Sequence, residues 1–277
     1  MPEWPELEHY RAQLSPLLCG QKIKSVVINR SEFINEPADQ FTASLVDRII
    51  LFFEHRGRYL LFHLDDGNRL HLDLGLNGWL ATGEQETLKD DQYPIILTLE
   101  DGNSLRFGGL RQGFLHRVSA KTILEKLKEL GPDPFDSRLT LEAFRKRIAG
   151  KKGKLKATLS DQRFLSGIGN IYSDEICFEA RIHPAAAVNQ LDAAAVENVY
   201  ESIKRVLLEA AEAGGTIETP LTSEDTQTGG YRSVRKVYDR QGESCSVCGG
   251  EIKYETLAGR KMFYCPHCQK ETLITTE

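Results

Sequence analysis

Near its C-terminus the chain reads Cys245-x2-Cys248-x16-Cys265-x2-Cys268, two closely spaced cysteine pairs separated by enough residues for a short hairpin. Four thiolates at this spacing complete a tetrahedral shell, which predicts one structural zinc ion and leaves no open position for a catalytic water. The metal therefore builds a small folded element, and reactivity has to be sought elsewhere. Cys19 and Cys177 stand far from the cluster and read as inert buried thiols.

The 277 residues, 40% of them hydrophobic, are enough for two compact domains with a core each. No apolar run reaches the roughly 18 residues that span a bilayer, and the N-terminus lacks the basic-then-apolar layout of a secretion signal. The expectation is a cytoplasmic monomer with no membrane partner. A formal net charge of −5 works against a uniformly cationic surface for nucleic acid. Charge is unevenly spread, however. Acidic residues gather at Asp65-Asp66 and in 84–91, whereas 145–156 and 231–240 are locally basic and allow a basic face.

The first half reads as strands. Ile23 to Ile28, Ile49 to Phe53, Tyr59 to Leu64, Leu70 to Leu74, Ile95 to Leu99 and Phe114 to Val118 are short and rich in β-branched or aromatic residues, with turn signals such as Arg56-Gly57 and Asp101-Gly102-Asn103 between several of them. Serial hairpins predict an antiparallel β-sandwich. Ahead of them Pro5 to Leu18 has helical apolar spacing, with a proline and acidic residues early in the helix. Gly131-Pro132-Asp133-Pro134 cannot continue a helix and falls where strands give way to helices. Beyond it, Leu141 to Ile148, Leu155 to Ser160, Ile171 to Ala180 and Ala193 to Ala213 have helical patterning, and Gly214-Gly215 stops the last. Thr216 to Gly230 is polar and threonine-rich, which predicts a mobile loop rather than core. The reading is an α+β chain with domains at 1–130, 131–230 and 231–277.

Three segments carry chemistry. If Met1 is removed, Pro2 presents a secondary amine; with a reference pKa near 8, roughly 10% of an α-amine is unprotonated at pH 7. Such an amine can attack an aldehyde-like carbon and give an iminium, an electron sink for the neighbouring C–H. Retained Met1 blocks this chemistry, and Pro2 then simply precedes a helix. Glu3 and Glu6 would flank the amine, either as proton donors or as partners of the helix dipole. In Asp161 to Tyr172, Gly167, Gly169 and Asn170 sit between helices. They form either a plain turn or a phosphate seat of backbone N–H groups to which Asn170 adds a side-chain donor. Arg260, at the expected tip of the metal hairpin, can set a guanidinium against a phosphate, while a zinc ribbon serving protein contacts is the other reading.

Taken together, these motifs resemble the bacterial formamidopyrimidine-DNA glycosylase and endonuclease VIII family of base-excision repair enzymes. The resemblance runs nearly end to end. It rests on Pro2-Glu3-Trp4-Pro5-Glu6, Gly131-Pro132-Asp133-Pro134, Asp161-Gln162, Gly167 to Tyr172, Asp174-Glu175, Val237-Tyr238-Asp239-Arg240 and the four-cysteine finger with Gly259-Arg260. It implies an N-terminal β-sandwich, a helix–two-turn–helix domain and a zinc finger, with double-stranded DNA carrying damaged bases or abasic sites as the partner. It also implies roles: Pro2 attacks C1′ of a flipped nucleotide, Glu3 protonates the sugar ring oxygen, and β- then δ-elimination cuts the strand. Flipping is required because C1′ chemistry cannot proceed within a stacked duplex. Asn170 and Arg260 would hold phosphates, and Lys151 and Lys152 lie in a stretch the family uses for DNA contact.

The chain also departs from the family pattern. Arg58, in His55-Arg56-Gly57-Arg58-Tyr59, stands where the formamidopyrimidine branch has lysine; it still binds phosphate but cannot lend a proton. Leu76 replaces the wedge methionine in Asp73-Leu74-Gly75-Leu76. Leu110-Arg111-Gln112-Gly113-Phe114 keeps Arg111 but loses the aromatic wedge, and Gln92 replaces a histidine. Trp4 is unlike the residues usual in the main branches. The reading is a divergent glycosylase with AP lyase activity; the alternative is a paralogue that binds damaged or bent DNA with little or no glycosylase activity.

Overall fold

The computed structural model describes residues 1–84 and 92–270. The acidic stretch expected at 84–91 therefore lies, after Glu84, outside the described residues. The chain divides into two compact units, Met1–Glu129 with Ala211–Tyr231, and Leu130–Ala210 with Arg232–Glu277. The segment Ala211–Tyr231, assigned above largely to the helical domain, packs with the first unit.

The first unit contains α1 (Trp4–Leu18), β1 (Ile23–Ile28), α2 (Ala38–Leu45), β2 (Ile50–Arg56), β3 (Tyr59–Leu64), β4 (Asn68–Asp73), β5 (Trp79–Glu84), β6 (Ile95–Leu99), β7 (Asn103–Gly108), β8 (Phe114–Ser119) and α3 (Ala120–Leu127). Two four-stranded sheets, ordered β1-β6-β7-β5 and β2-β3-β4-β8, are antiparallel throughout. Alternate residues supply one core, with Leu97, Leu105 and Phe107 from one sheet and Phe53, Phe62, Leu72 and Leu115 from the other. The expected sandwich is present. Helix α1 adds Leu7, Tyr10, Leu14 and Leu18, one apolar stripe at helical spacing, to the same core.

Helix α1 begins where it does because Glu3 and Glu6 form a reciprocal capping box and Pro5 lies in the first turn. The expected strands appear within a few residues of their limits. Within the described residues of this unit, β5, β7, α2 and α3 were not anticipated. β7 carries Asn103, Ser104 and Arg106 among its apolar residues, so its alternation is masked; Arg106 is nonetheless buried and donates to Glu84 O at 2.7 Å.

The segment 216–230 is a correction, because it is fastened to the unit. Leu221 is 1% exposed and belongs to the sandwich core. The Asp225 carboxylate accepts the N–H groups of Leu221, Gln227 and Thr228 and the Thr228 hydroxyl. The polar composition therefore serves an internal staple rather than mobility.

The second unit holds α4 (Leu141–Ala149), α5 (Leu155–Leu159), α6 (Asn170–Glu179), most of α7 (Ala193–Glu212), the last three residues of α8 (Tyr231–Val234) and a hairpin of β9 (Lys253–Leu257) and β10 (Arg260–Tyr264). Gly131 docks on the turn between α5 and α6, donating to Gln162 O at 2.8 Å. A Cβ there would stand 2.7 Å from two carbonyl oxygens, so glycine is required by packing. Gln162 closes the turn, donating to Ile168 O and accepting Gly167 N–H.

Candidate active site

In the first unit the chain terminus is set by the start of α1. Pro2 is buried and Glu3 is 3% exposed. Glu3 N–H donates to Glu6 Oε2 at 2.8 Å, and Glu6 Oε1 accepts Thr216 N–H at 2.8 Å and its hydroxyl at 3.0 Å. The Met1 ammonium donates to Leu76 O at 2.9 Å, and Arg58 Nη1 contacts Met1 Sδ at 2.9 Å. Burial lowers the pKa of this amine below its usual value, opposed by Glu3 and Glu6, aided by Arg58, and opposed again by Asp73. Glu3, Glu6, Asp73 and Arg58 therefore all act electrostatically on this amine. The pKa of Asp73 is itself raised by burial, against the Gly75 N–H bond and Arg58.

Strand register brings the other first-unit residues here. Gly57-Arg58 is the two-residue turn between β2 and β3, and Tyr59, next to it, pairs with Asp73 at the end of β4. Leu76 N–H donates to Arg111 O at 3.0 Å, so the two turns that carry Leu76 and Arg111 are joined. Their backbones touch: a Cβ at Gly75 would lie 2.3 Å from Arg111 O, and one at Gly113 would lie 2.4 Å from Asp73 O. An aromatic residue at 113 has no room. Phe114 does not replace it, because it starts β8 and its ring stacks on His116 at 4.1 Å and meets His71 edge-on at 4.9 Å.

In the second unit Asn170 opens α6, and its Oδ1 is buried with no hydrogen-bond partner among the described residues. Lys156 donates to Asn170 O at 2.9 Å and pairs with buried Asp174 at 2.8 Å. Burial, partly offset by Lys156, pushes the Asp174 carboxyl up to about 7. Arg260, exposed at the start of β10, donates to Ser160 Oγ at 2.8 Å, and Ser160 in turn donates to Lys156 O at 2.8 Å. The two proposed phosphate holders thus share α5 as a common support. Lys151 is engaged internally, 3.3 Å from Asp161 and over the Phe164 ring. Asp73, Thr216, Ser160 and Lys156 escaped sequence reasoning, since their relevance comes from register and distant pairing.

The sulfurs of Cys245, Cys248, Cys265 and Cys268 lie within 4.8 Å of one another, with separations of 3.9 Å for Cys245–Cys268 and 3.5 Å for Cys248–Cys265. Four thiolates about 2.3 Å from one tetrahedral ion stand about 3.8 Å apart, so the donor set fits one structural zinc ion. Burial raises the Cys245 thiol, but N–H groups of Val247 and Cys248 outweigh it and bring the group down to about 7. Asp174 Oδ2 accepts Phe263 N–H, and Glu175 accepts the N–H groups of Lys236, Val237 and Tyr238, anchoring the finger to α6. No helix among the described residues is long and apolar enough to cross a membrane.

Residues 1–114 match the Formamidopyrimidine-DNA glycosylase N-terminal domain, 130–221 the Formamidopyrimidine-DNA glycosylase H2TH domain, and 242–270 the zinc finger found in FPG and IleRS. A formamidopyrimidine-DNA glycosylase of Listeria innocua is 36% identical over 275 residues, covering 98% of this chain and 100% of that protein. One from Heliobacterium modesticaldum is 35% identical over 277 residues, with 98% and 100% covered. The Lactococcus lactis Fpg in complex with abasic-site DNA superposes with a TM-score of 0.87 at 28% identity, covering 97% of this chain and 100% of that one. A mutant of the same Lactococcus lactis protein, bound to Fapy-dG-containing DNA, gives 0.88 at 29%, with 98% and 100% covered. The chain belongs to the formamidopyrimidine-DNA glycosylase family.

Proposed function

We propose that the protein is a bifunctional DNA glycosylase and AP lyase acting on double-stranded DNA that carries oxidised or ring-opened bases or abasic sites. The observation that carries this reading is Pro2, buried at the start of α1, held by the Glu3–Glu6 box beside the residue that Arg58 and Leu76 contact. Once Met1 is removed, the Pro2 nitrogen becomes the nucleophile. It attacks C1′ of the flipped nucleotide, the C1′–base bond breaks and the base leaves with the proton the amine gives up; Glu3 then protonates the ring oxygen, the C1′–O4′ bond breaks, and the nitrogen lone pair closes the iminium. The iminium that results acidifies the C2′–H, and loss of that proton expels the 3′ phosphate, with δ-elimination of the 5′ phosphate following.

Arg58 takes the role of phosphate clamp, since a guanidinium does not exchange its proton at neutral pH. Asn170 and Arg260 hold phosphates of the damaged strand, Leu76 and Arg111 enter the space left by the flipped base, and Lys151 contacts the backbone at the expense of Asp161. Zinc serves only to fold the finger. The test is borohydride trapping on an abasic-site duplex, with the protein's N-terminus identified by mass. Protein lacking Met1 should form a covalent adduct and Pro2→Gly should lose most of it. Undiminished trapping by a Met1-retaining form would overturn the amine assignment.

A further inference from the structure

Helix α1 presents Glu6, His9 and Gln13 in one stripe, at the spacing i, i+3, i+7. All three meet the segment 211–231. Glu6 accepts from Thr216, His9 Nε2 lies 2.8 Å from Thr228 Oγ1, and Gln13 Nε2 reaches Gln227 Oε1 at 3.4 Å. The segment is a closed loop: Gly229 N–H donates to Gly214 O at 2.9 Å and Tyr231 N–H to Gly215 O at 3.0 Å. Gly215 packs so tightly on Glu6 that a Cβ would stand 2.8 Å from Oε1.

The hydrogen-bond directions are fixed by chemistry. Burial would raise the Asp225 carboxyl, but bonds from Thr228, Leu221 and Gln227 outweigh it and hold the group at about 2. It is therefore ionised at neutral pH and only accepts. The single Thr228 hydroxyl proton goes to Asp225 Oδ2, which leaves the hydroxyl as acceptor toward His9. His9 Nε2 carries the hydrogen. His9 is 4% exposed and Thr228 half-buried, so an apolar residue in place of His9 removes the donor that this hydroxyl accepts from.

We propose that His9 is a positioning residue for the Pro2–Glu3 terminus. By donating to Thr228 it fixes the register in which Thr216 meets Glu6, and Glu6 in turn holds Glu3 N–H and the Pro2–Glu3 peptide. Leu221 and the glycine neck already attach the loop; the polar stripe decides where along α1 it sits. The inference rests on the amine reading above.

The experiment uses the full zinc-loaded chain with His9→Ala, His9→Gln and Thr228→Val. Single-turnover cleavage of an abasic-site duplex, its Kd, and amide hydrogen exchange over 216–228 are measured. His9→Ala and Thr228→Val should each slow the single-turnover rate about tenfold, the scale of one lost buried hydrogen bond, with little change in Kd. Exchange over 216–228 should accelerate. His9→Gln, which keeps a donor N–H, should recover most of the rate. A His9→Ala protein with wild-type rate and exchange, or a rate loss that glutamine does not recover, overturns the proposal. If the wild-type protein forms no borohydride adduct, the amine reading is lost and exchange decides alone: faster exchange in His9→Ala upholds the latch, unchanged exchange overturns it.

Discussion

Glu3 carries two duties. Its carboxyl caps α1 as part of the box with Glu6, and in the proposed reaction it protonates a sugar oxygen. Glu3→Gln separates the two, because an amide oxygen can still cap the helix while the group can no longer act as an acid. Base excision by this variant should fall by roughly 100-fold or more, the usual scale of a lost general acid, while cleavage at preformed abasic sites is retained better. Quantifying both substrates with one preparation checks this; equal losses would mean that the cap is what matters. The start of α1 and the cysteine cluster were legible because each signal lies in a few adjacent residues. Asp73 and Thr216 were not. Asp73 reaches the amine through the β3–β4 register, and Thr216 reaches Glu6 across 210 residues of chain.

Among the elements, the finger hairpin is the one whose loss has the clearest consequence. β10 is tied to α6 through Asp174, and its first residue is Arg260. Zinc binding supplies folding free energy on the order of 10 kcal/mol in isolated fingers, so Cys265→Ser should unfold the hairpin locally and release Arg260 from Ser160. Zinc content and affinity for abasic-site DNA should fall together, with the helical signal of α4 to α7 largely kept. Metal loss with unchanged DNA affinity would break the coupling. The finger was readable from cysteine spacing, and α1 from its apolar stripe. β7 was not, because its polar residues are satisfied only after the sheet forms: Ser104 Oγ donates to Gly83 O at 3.1 Å and Arg106 to Glu84 O at 2.7 Å.

Substrate choice belongs to the whole molecule, since it balances duplex deformation against everything the protein offers in return. A flipped base leaves a gap whose unstacking costs a few kcal/mol unless a side chain fills it. Here the joined turns offer Leu76 and Arg111, while the backbone contact at Gly113 excludes an aromatic ring and Phe114 is committed to the outer sheet face. The protein should therefore excise lesions that already loosen the duplex, such as ring-opened bases or mismatched damage, faster than 8-oxoguanine opposite cytosine. Single-turnover rates across such a panel decide it; an 8-oxoguanine:cytosine rate at least equal to the others defeats the idea. The order of sandwich, helices and finger was evident from the sequence, but the return of Ala211–Tyr231 to the first unit was not, since a polar loop does not announce that one leucine will enter a core. That return has a consequence in time. Thr216 follows Glu6 by 210 residues, so at roughly 5–20 residues per second the first helix spends about 10–40 s on the ribosome before its partner segment has been synthesised. The contacts that Glu6 makes with Thr216 are absent throughout that interval, and in the proposed mechanism it is then that an aminopeptidase would meet Met1 on an unlatched first helix.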